Sequence, residues 1–146
     1  MKKSLILIAA LAGLAGTQAA LAVPGNISVR MDCPDIANHG NERVTNFGTY
    51  LAGPGIERVG TGASTFPIWS GLIQSGQNIP VDLVAALYHN DGTSYDPNSG
   101  IVTCKYASSL AFSSFNLTYK LNNGLGGIVT KSSSEEINLM LMVGAK

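Results

Sequence analysis

Short segments in which apolar and polar residues alternate are the feature that most restricts the fold of this 146-residue chain. The clearest is FNLTYKL (115–121), where an apolar or aromatic residue occupies every second position and asparagine, threonine and lysine lie between them. NISVRMD (26–32) and EINLMLMVG (136–144) alternate in a similar way. Because successive side chains of a strand point to opposite faces, this pattern predicts strands with one buried face.

Turn-forming residues divide the rest of the chain into further segments of strand length. Glycine, proline, asparagine and serine recur at the roughly 8–12-residue spacing that is typical of all-β domains. Further strand candidates are residues 43–52, 55–60, 65–73 and 100–107, and Pro67 indicates an edge strand or a bulge. Residues 81–88 fit either a strand or a short helix. We expect an all-β, mainly antiparallel sandwich or barrel of about seven to nine short strands, with room for one short helix.

The first 22 residues have the pattern of a cleaved secretory signal peptide. Lys2 and Lys3 precede an uncharged apolar stretch, and small residues at positions 20 and 22 fit cleavage after Ala22. Residues 23–146 would then form one exported domain, periplasmic or extracellular, with no integral membrane segment. Without the two lysines, 7 basic residues face 9 acidic ones. This balance excludes the basic surface that nucleic-acid binding requires.

Cys33 and Cys104 are the only cysteines in the chain. In an exported protein an even number of cysteines first indicates a disulfide. The alternatives are a reactive thiol, for which His39 is the nearest histidine, and a metal ligand, but the chain contains no CxxC motif. The bridge would close a loop of 71 residue steps. The chain-entropy argument assigns such a loop about 4 kcal/mol of stabilisation.

The richest polar stretch is YHNDGTSYDPNSG, residues 88–100. Its Asn-Asp-Gly and Asp-Pro-Asn-Ser-Gly sequences are strong turn formers, and they predict a long hairpin loop. Four residues of this segment are candidate ligands for a bound molecule or ion: His89, Asn90, Asp91 and Asp96. The carboxylates of Asp91 and Asp96, together with nearby carbonyl oxygens, would suit calcium, although the spacing does not match an EF-hand.

The two histidines and the single tryptophan are the remaining candidates for a site. His39 and His89 would bind zinc together with Asp35 if the fold brought the three residues together. His89 could also join an aspartate and a serine in a hydrolytic triad, or both histidines lie in solvent-facing loops. Trp69 is most simply a core residue. An exposed Trp69 would instead be a contact aromatic for carbohydrate or protein.

Three short motifs resemble a family of small exported bacterial proteins of unknown function. They are Cys33-Pro34 near the mature N-terminus, the mid-chain Trp69, and a glycine-led strand, GIVTCKY (100–106), that contains Cys104. The resemblance covers residues 29–108, and members of the family occur in intracellular pathogens. It implies a host-facing or envelope role and supplies no catalytic residue to carry over.

No catalytic signature of a common enzyme class occurs in the sequence: GxxxxGK[ST], HExxH, SxxK and GxSxG are all absent. We therefore expect a non-enzymatic binding or interaction module whose partner is a protein or a glycan. One alternative is a small hydrolase or metal-dependent enzyme that uses the segment from His89 to Asp96. The others are a calcium-binding β-sandwich and an envelope-structural protein.

Overall fold

The computed structural model describes residues 25–36, 43–122 and 126–143, and every regular element in these ranges is a strand. The strands are β1 (Gly25–Asp32), β2 (Thr45–Asn46), β3 (Tyr50–Pro54), β4 (Ile56–Val59), β5 (Ser64–Thr65), β6 (Ile68–Leu72), β7 (Tyr88–Asp96), β8 (Ile101–Ser108), β9 (Phe115–Lys120), β10 (Ile128–Ser132) and β11 (Glu136–Val143). In the described part of the chain, no helix has the length and apolar character needed to cross a membrane.

The strands form two antiparallel sheets, which confirms the predicted all-β class. The five-stranded sheet has the order β10-β11-β1-β4-β5, and the six-stranded sheet has the order β2-β3-β6-β9-β8-β7. Buried side chains from both sheets form one apolar core. Two sheets that share a core in this way make a β-sandwich.

The alternation of the sequence explains which side chains fill the core. In β9, Phe115 and Leu117 are buried, whereas Asn116 and Thr118 are exposed. The register places Leu117 opposite Cys104 of β8, so both point between the sheets. The core is also rich in aromatic residues. The Phe115 ring lies 4.8 Å from that of Tyr106 and 5.0 Å from that of Tyr88, as measured between centroids.

A disulfide between Cys33 and Cys104 joins the two sheets, as the cysteine count predicts. Cys33 directly follows β1 of the five-stranded sheet, and Cys104 lies inside β8 of the six-stranded sheet, where it is fully buried. The buried Tyr106 hydroxyl donates a 2.6 Å hydrogen bond to the carbonyl oxygen of Pro34 beside the bridge. This end of the sandwich is therefore held by a covalent bond and by a buried hydrogen bond.

The two long edge strands, β7 and β10, lie next to each other. The Thr93 hydroxyl donates to the carbonyl oxygens of Ser133 and Glu136, at 3.0 and 3.3 Å. The Gly126 amide donates to the Pro97 carbonyl oxygen at 3.1 Å. The opposite edges, β2 and β5, are only two residues long. Covered or very short edges limit strand pairing with other chains.

Several local predictions need correction. The described part of the chain contains eleven strands, more than the seven to nine that the sequence pattern predicts. Two-residue strands add to the number, residues 43–52 form a hairpin rather than one strand, and β7 occupies a segment for which the sequence predicts a loop. Residues 81–87 form turns and bends, so neither alternative for this segment is right. Pro67 precedes β6, and β6 lies inside its sheet rather than at an edge.

Candidate functional site

The polar segment that was predicted to be a hairpin loop is mostly strand β7. Tyr88–Asp96 pairs with β8 along its whole length, and the ladder is interrupted by a bulge between Asn90 and Gly92. The Asp-Gly sequence therefore produces a bulge within the strand instead of a reversal of the chain. Only residues 97–100 form the turn.

This arrangement separates the candidate ligand residues from one another. His89 and Asp96 lie at opposite ends of β7, roughly 20 Å apart at the ordinary rise of a strand. A single hydrolytic or ion site cannot contain both. Asp91 is exposed at the bulge. His89 is also exposed, and its Nδ1 lies 3.3 Å from the Ser109 hydroxyl.

Asp96 has a structural role in the turn that follows β7. Its carboxylate accepts a 2.5 Å hydrogen bond from the Ser99 hydroxyl and a 2.9 Å bond from the Asn98 amide. These two hydrogen bonds lower the pKa of the carboxyl group, and the bond from the Ser99 hydroxyl has the larger effect. The Asp96 carboxylate is therefore occupied in shaping the reversal into β8.

The predicted zinc site rests on three residues, of which the structure describes Asp35 and His89. His39 lies outside the described residues, and His89 is not among the residues that surround Asp35 in the cleft described below. Within the described ranges, no group of three or more histidine, cysteine or acidic residues is placed to hold a metal ion.

Trp69 is a core residue and is not available as a contact aromatic. It is 0% exposed, and its ring lies 5.8 Å from that of Tyr119. The indole Nε1 is buried and has no hydrogen-bond partner. A Cβ atom at Gly55 would overlap this nitrogen, so the position of the indole requires glycine at residue 55.

A concave site lies at the disulfide end of the sandwich, and we call it the acidic cleft. It has a volume of about 280 Å³. The side chains that give it its character are Arg30, Asp32, Asp35, Asn90, Glu135 and Glu136. Cys33, Pro34 and Ser133 also line it. Three separate parts of the chain meet here: the end of β1, the start of β7 and the turn before β11.

In the described part of the chain, four of the nine acidic residues of the sequence line this cleft, together with one arginine. Arg30 Nε lies 2.9 Å from Asp32 Oδ1, and Arg30 Nη2 lies 3.1 Å from Glu136 Oε2. Lys131 Nζ approaches Glu136 from the next strand at 3.6 Å. A concave surface with this excess of carboxylates concentrates negative potential and attracts cations.

The ionisation of Glu136 is favoured by its neighbours. The Asn138 amide donates a 2.5 Å hydrogen bond to Glu136 Oε1, and this bond, followed by the charges of Arg30 and Lys131, lowers the pKa of the carboxyl group. Asp32 and Glu136 in turn raise the pKa of Arg30, and the hydrogen bond that Arg30 donates to Asp32 contributes most. Glu136 and Arg30 therefore stay charged throughout the neutral range.

The acidic side of the cleft is built on a well-ordered turn between β10 and β11. The Ser133 hydroxyl accepts hydrogen bonds from the amides of Glu135 and Glu136, at 3.4 and 3.0 Å. The Glu135 carbonyl oxygen accepts a 2.8 Å bond from the Cys33 amide. The backbone under the carboxylates is thus held by the turn and by the residue that forms the disulfide.

The sequence predictions identified part of this cleft. Asn90 belonged to the candidate ligand segment, and Asp35 to the zinc hypothesis. The sequence predictions missed Arg30, Asp32, Glu135 and Glu136. One signal was present for the glutamates, which lie next to each other at the start of a strongly alternating segment. Glu135 and Cys33 are far apart in sequence, so only the pairing of β1 with β11 brings them together.

The comparisons with known proteins found no matching family model, no similar curated protein and no similar solved structure.

Proposed function

We propose that this chain is an exported, non-enzymatic binding module whose acidic cleft receives a cationic group of a protein partner. The excess of carboxylates in one concave site is the observation that supports this proposal most directly. Its volume suits a single ammonium or guanidinium group on its side chain, rather than a large organic ligand.

The chemistry of the cleft favours binding over catalysis. Among the residues that the structure describes, its lining contains carboxylates, a guanidinium, an amide and a hydroxyl, but no histidine. Cys33 is oxidised in the disulfide, so it offers no thiolate nucleophile. The Ser133 hydroxyl is engaged by the backbone amides of the β10–β11 turn. The carboxylate, amide and hydroxyl oxygens of the cleft can accept a hydrogen bond from a cation. None of them is arranged as an activated nucleophile.

Export is part of the proposal. The signal-like pattern of residues 1–22 supports it, and a disulfide is compatible with an oxidising compartment. In the producing cell, we expect the protein to be recovered from the periplasm or medium with Val23 as its first residue. N-terminal sequencing checks this, and a cytoplasmic protein that begins at Met1 would refute export while leaving the cleft proposal open.

The binding proposal is tested by NMR titration of the ¹⁵N-labelled mature protein with Nα-acetyllysine amide. We expect millimolar binding, with amide shifts confined to Asn90, Ser133 and Glu135, that weakens at high salt. The uncharged analogue Nα-acetylnorleucine amide serves as the control ligand. Shifts that are as large with this analogue would contradict recognition of the charge.

A pair of matched variants locates the interaction. Glu135→Gln removes one carboxylate from the rim and should weaken binding about two- to fivefold, the usual effect of a partly exposed ion pair. Asp91→Asn removes a carboxylate from β7 outside the cleft and should leave binding unchanged. A separate titration with calcium chloride tests the predicted ion segment. Shifts confined to Asp91 and Asp96 would favour that segment over the cleft.

A further inference from the structure

The outer face of the six-stranded sheet is apolar along two neighbouring strands. The β3–β6 register places Tyr50 opposite Leu72 and Pro54 opposite Ile68. Ala52 and Ser70 form the pair between them. These six residues, which we call the β3–β6 face, include no charged side chain.

Their exposure is unusual for the solvent side of an antiparallel sheet, which is normally polar. Leu72 is 82% exposed and Ile68 is 63% exposed. The neighbouring strand β9 follows the normal rule, since its outward residues are Asn116, Thr118 and Lys120. On the side of β9, the apolar face therefore ends at a polar border.

The β2–β3 hairpin adds a second aromatic ring to this face. The rings of Phe47 and Tyr50 stack with their centroids 4.8 Å apart and their planes within 14°. The turn that places them is held by the Gly48 amide, which donates a 2.7 Å hydrogen bond to the Asn46 side chain. Gly48 has a φ of 89°, which favours glycine. Phe47 nevertheless remains 54% exposed.

Leu72 stands at the rim of a shallow hollow on the same face. Besides Leu72, the hollow is lined by Tyr50, Ser70, Gly71 and Thr118, and it has a volume of about 370 Å³. A projecting leucine and a hollow that lie side by side are the elements that a two-fold symmetric interface requires. In such an interface residue i of one copy contacts residue j of the other, and the reverse contact follows by symmetry.

We propose that a second copy of this chain docks on the β3–β6 face and forms a symmetric dimer. Leu72 of each copy enters the hollow over Ser70 and Thr118 of the other copy. The outward Lys120 lies at the border of the contact, which agrees with the general depletion of charge in the centre of interfaces.

The exposed apolar area is more than half of what each partner buries in a standard dimer interface. A fully exposed large side chain offers roughly 200 Å² of accessible surface. At that scale, the exposed fractions of Phe47, Tyr50, Ile68 and Leu72 amount to about 500 Å² of apolar surface. The small residues between and around them extend the patch toward the roughly 800 Å² per partner of a standard interface.

Sedimentation equilibrium of the mature protein over a range of concentrations tests the proposal. We expect a reversible dimer in the micromolar range. Leu72→Asp places two carboxylates in the contact, one from each copy, and should raise the dimer Kd at least about 100-fold. Leu110→Asp is the matched control, since Leu110 is 62% exposed in a loop that is not part of this face. It should leave the Kd unchanged.

A crosslinking experiment identifies the geometry. A photoreactive benzophenone residue is placed at position 72, and ¹⁵N-labelled and unlabelled chains are mixed. We expect crosslinked peptides that contain both isotopes and join position 72 to the strands of Ser70 and Thr118. A protein that stays monomeric at all concentrations, or a dimer that Leu72→Asp leaves intact, would overturn the proposal. Neither result affects the cleft, because the two surfaces share no residue.

Discussion

The Cys33–Cys104 disulfide should contribute a large share of the stability of this domain. The bridge connects residues 71 positions apart and joins the two sheets. The perturbation is the double variant Cys33→Ala/Cys104→Ala, which removes the crosslink and leaves every other side chain in place. Its effect should be felt mainly in the unfolded chain, which the native bridge keeps from expanding.

The expected magnitude follows from the loop length and from burial. The chain-entropy relation for a loop of this size gives about 4 kcal/mol at 25 °C. Because Cys104 is fully buried, loss of its sulfur adds a small cavity that costs about 1 kcal/mol. The total of about 5 kcal/mol compares with the 5–15 kcal/mol that domains of ordinary stability possess. The double variant should therefore be marginally folded.

Urea denaturation followed by far-UV circular dichroism measures this loss. The single variant Cys33→Ala keeps the Cys104 sulfur in the core, so its difference from the double variant isolates the cavity contribution. Because the uncrosslinked chain exposes more surface on unfolding, the m value should also rise. A loss below about 1 kcal/mol, or a loss with an unchanged m value, would refute an effect that acts through the unfolded state.

Four further predictions concern single side chains. Tyr106→Phe removes the buried hydroxyl that donates to the Pro34 carbonyl oxygen. The free energy of unfolding should therefore fall by about 1–3 kcal/mol, as measured in the same urea experiment. Gly55→Ala would place Cβ 2.6 Å from the Asp32 carbonyl oxygen and against Trp69 Nε1. We expect the free energy of unfolding to fall by about 1–3 kcal/mol. Wild-type stability would contradict the packing around Gly55. Trp69→Phe removes an N–H that has no hydrogen-bond partner, so it should destabilise the fold clearly less than Trp69→Ala, for which we expect a loss of about 3–5 kcal/mol. Circular dichroism is the readout, because both variants lack the only tryptophan. The pKa of Asp96 is lowered in the folded protein, so its ionised carboxylate stabilises the fold at pH values above the ordinary carboxyl pKa of about 4. This stabilisation is lost as the pH falls through the lowered pKa of the folded state. The melting temperature of the wild type should therefore decrease more steeply on acidification than that of Asp96→Asn, and parallel curves would argue against this role.

Local alternation was sufficient to predict the strands that have one buried face. β1, β8, β9 and β11 lie where their sequence pattern places them, because each contributes every second side chain to the core. The disulfide was also predictable, since the chain offers each cysteine only one partner. The core position of Trp69 follows from the same preference for burying large apolar side chains.

Local sequence failed where tertiary pairing outweighed turn propensity. Residues 88–96 contain strong turn formers, yet they form β7, because pairing with β8 and the hydrogen bonds of Thr93 to the β10–β11 turn satisfy their backbone and side chains. The Asp-Gly sequence is accommodated as a bulge. Propensity is a local property, whereas the stability of a strand depends on its neighbours.

The fold class, the covalent link and the identity of the buried faces follow from the amino-acid sequence, because they depend on spacing along the chain and on residue type. Which polar residues share a site depends on the packing of the folded chain. The acidic cleft joins Arg30 to Glu136 through the β1–β11 register. The β3–β6 face likewise depends on which strands become neighbours. Both surfaces arise from contacts between distant segments, and the pattern within one segment does not specify its partner.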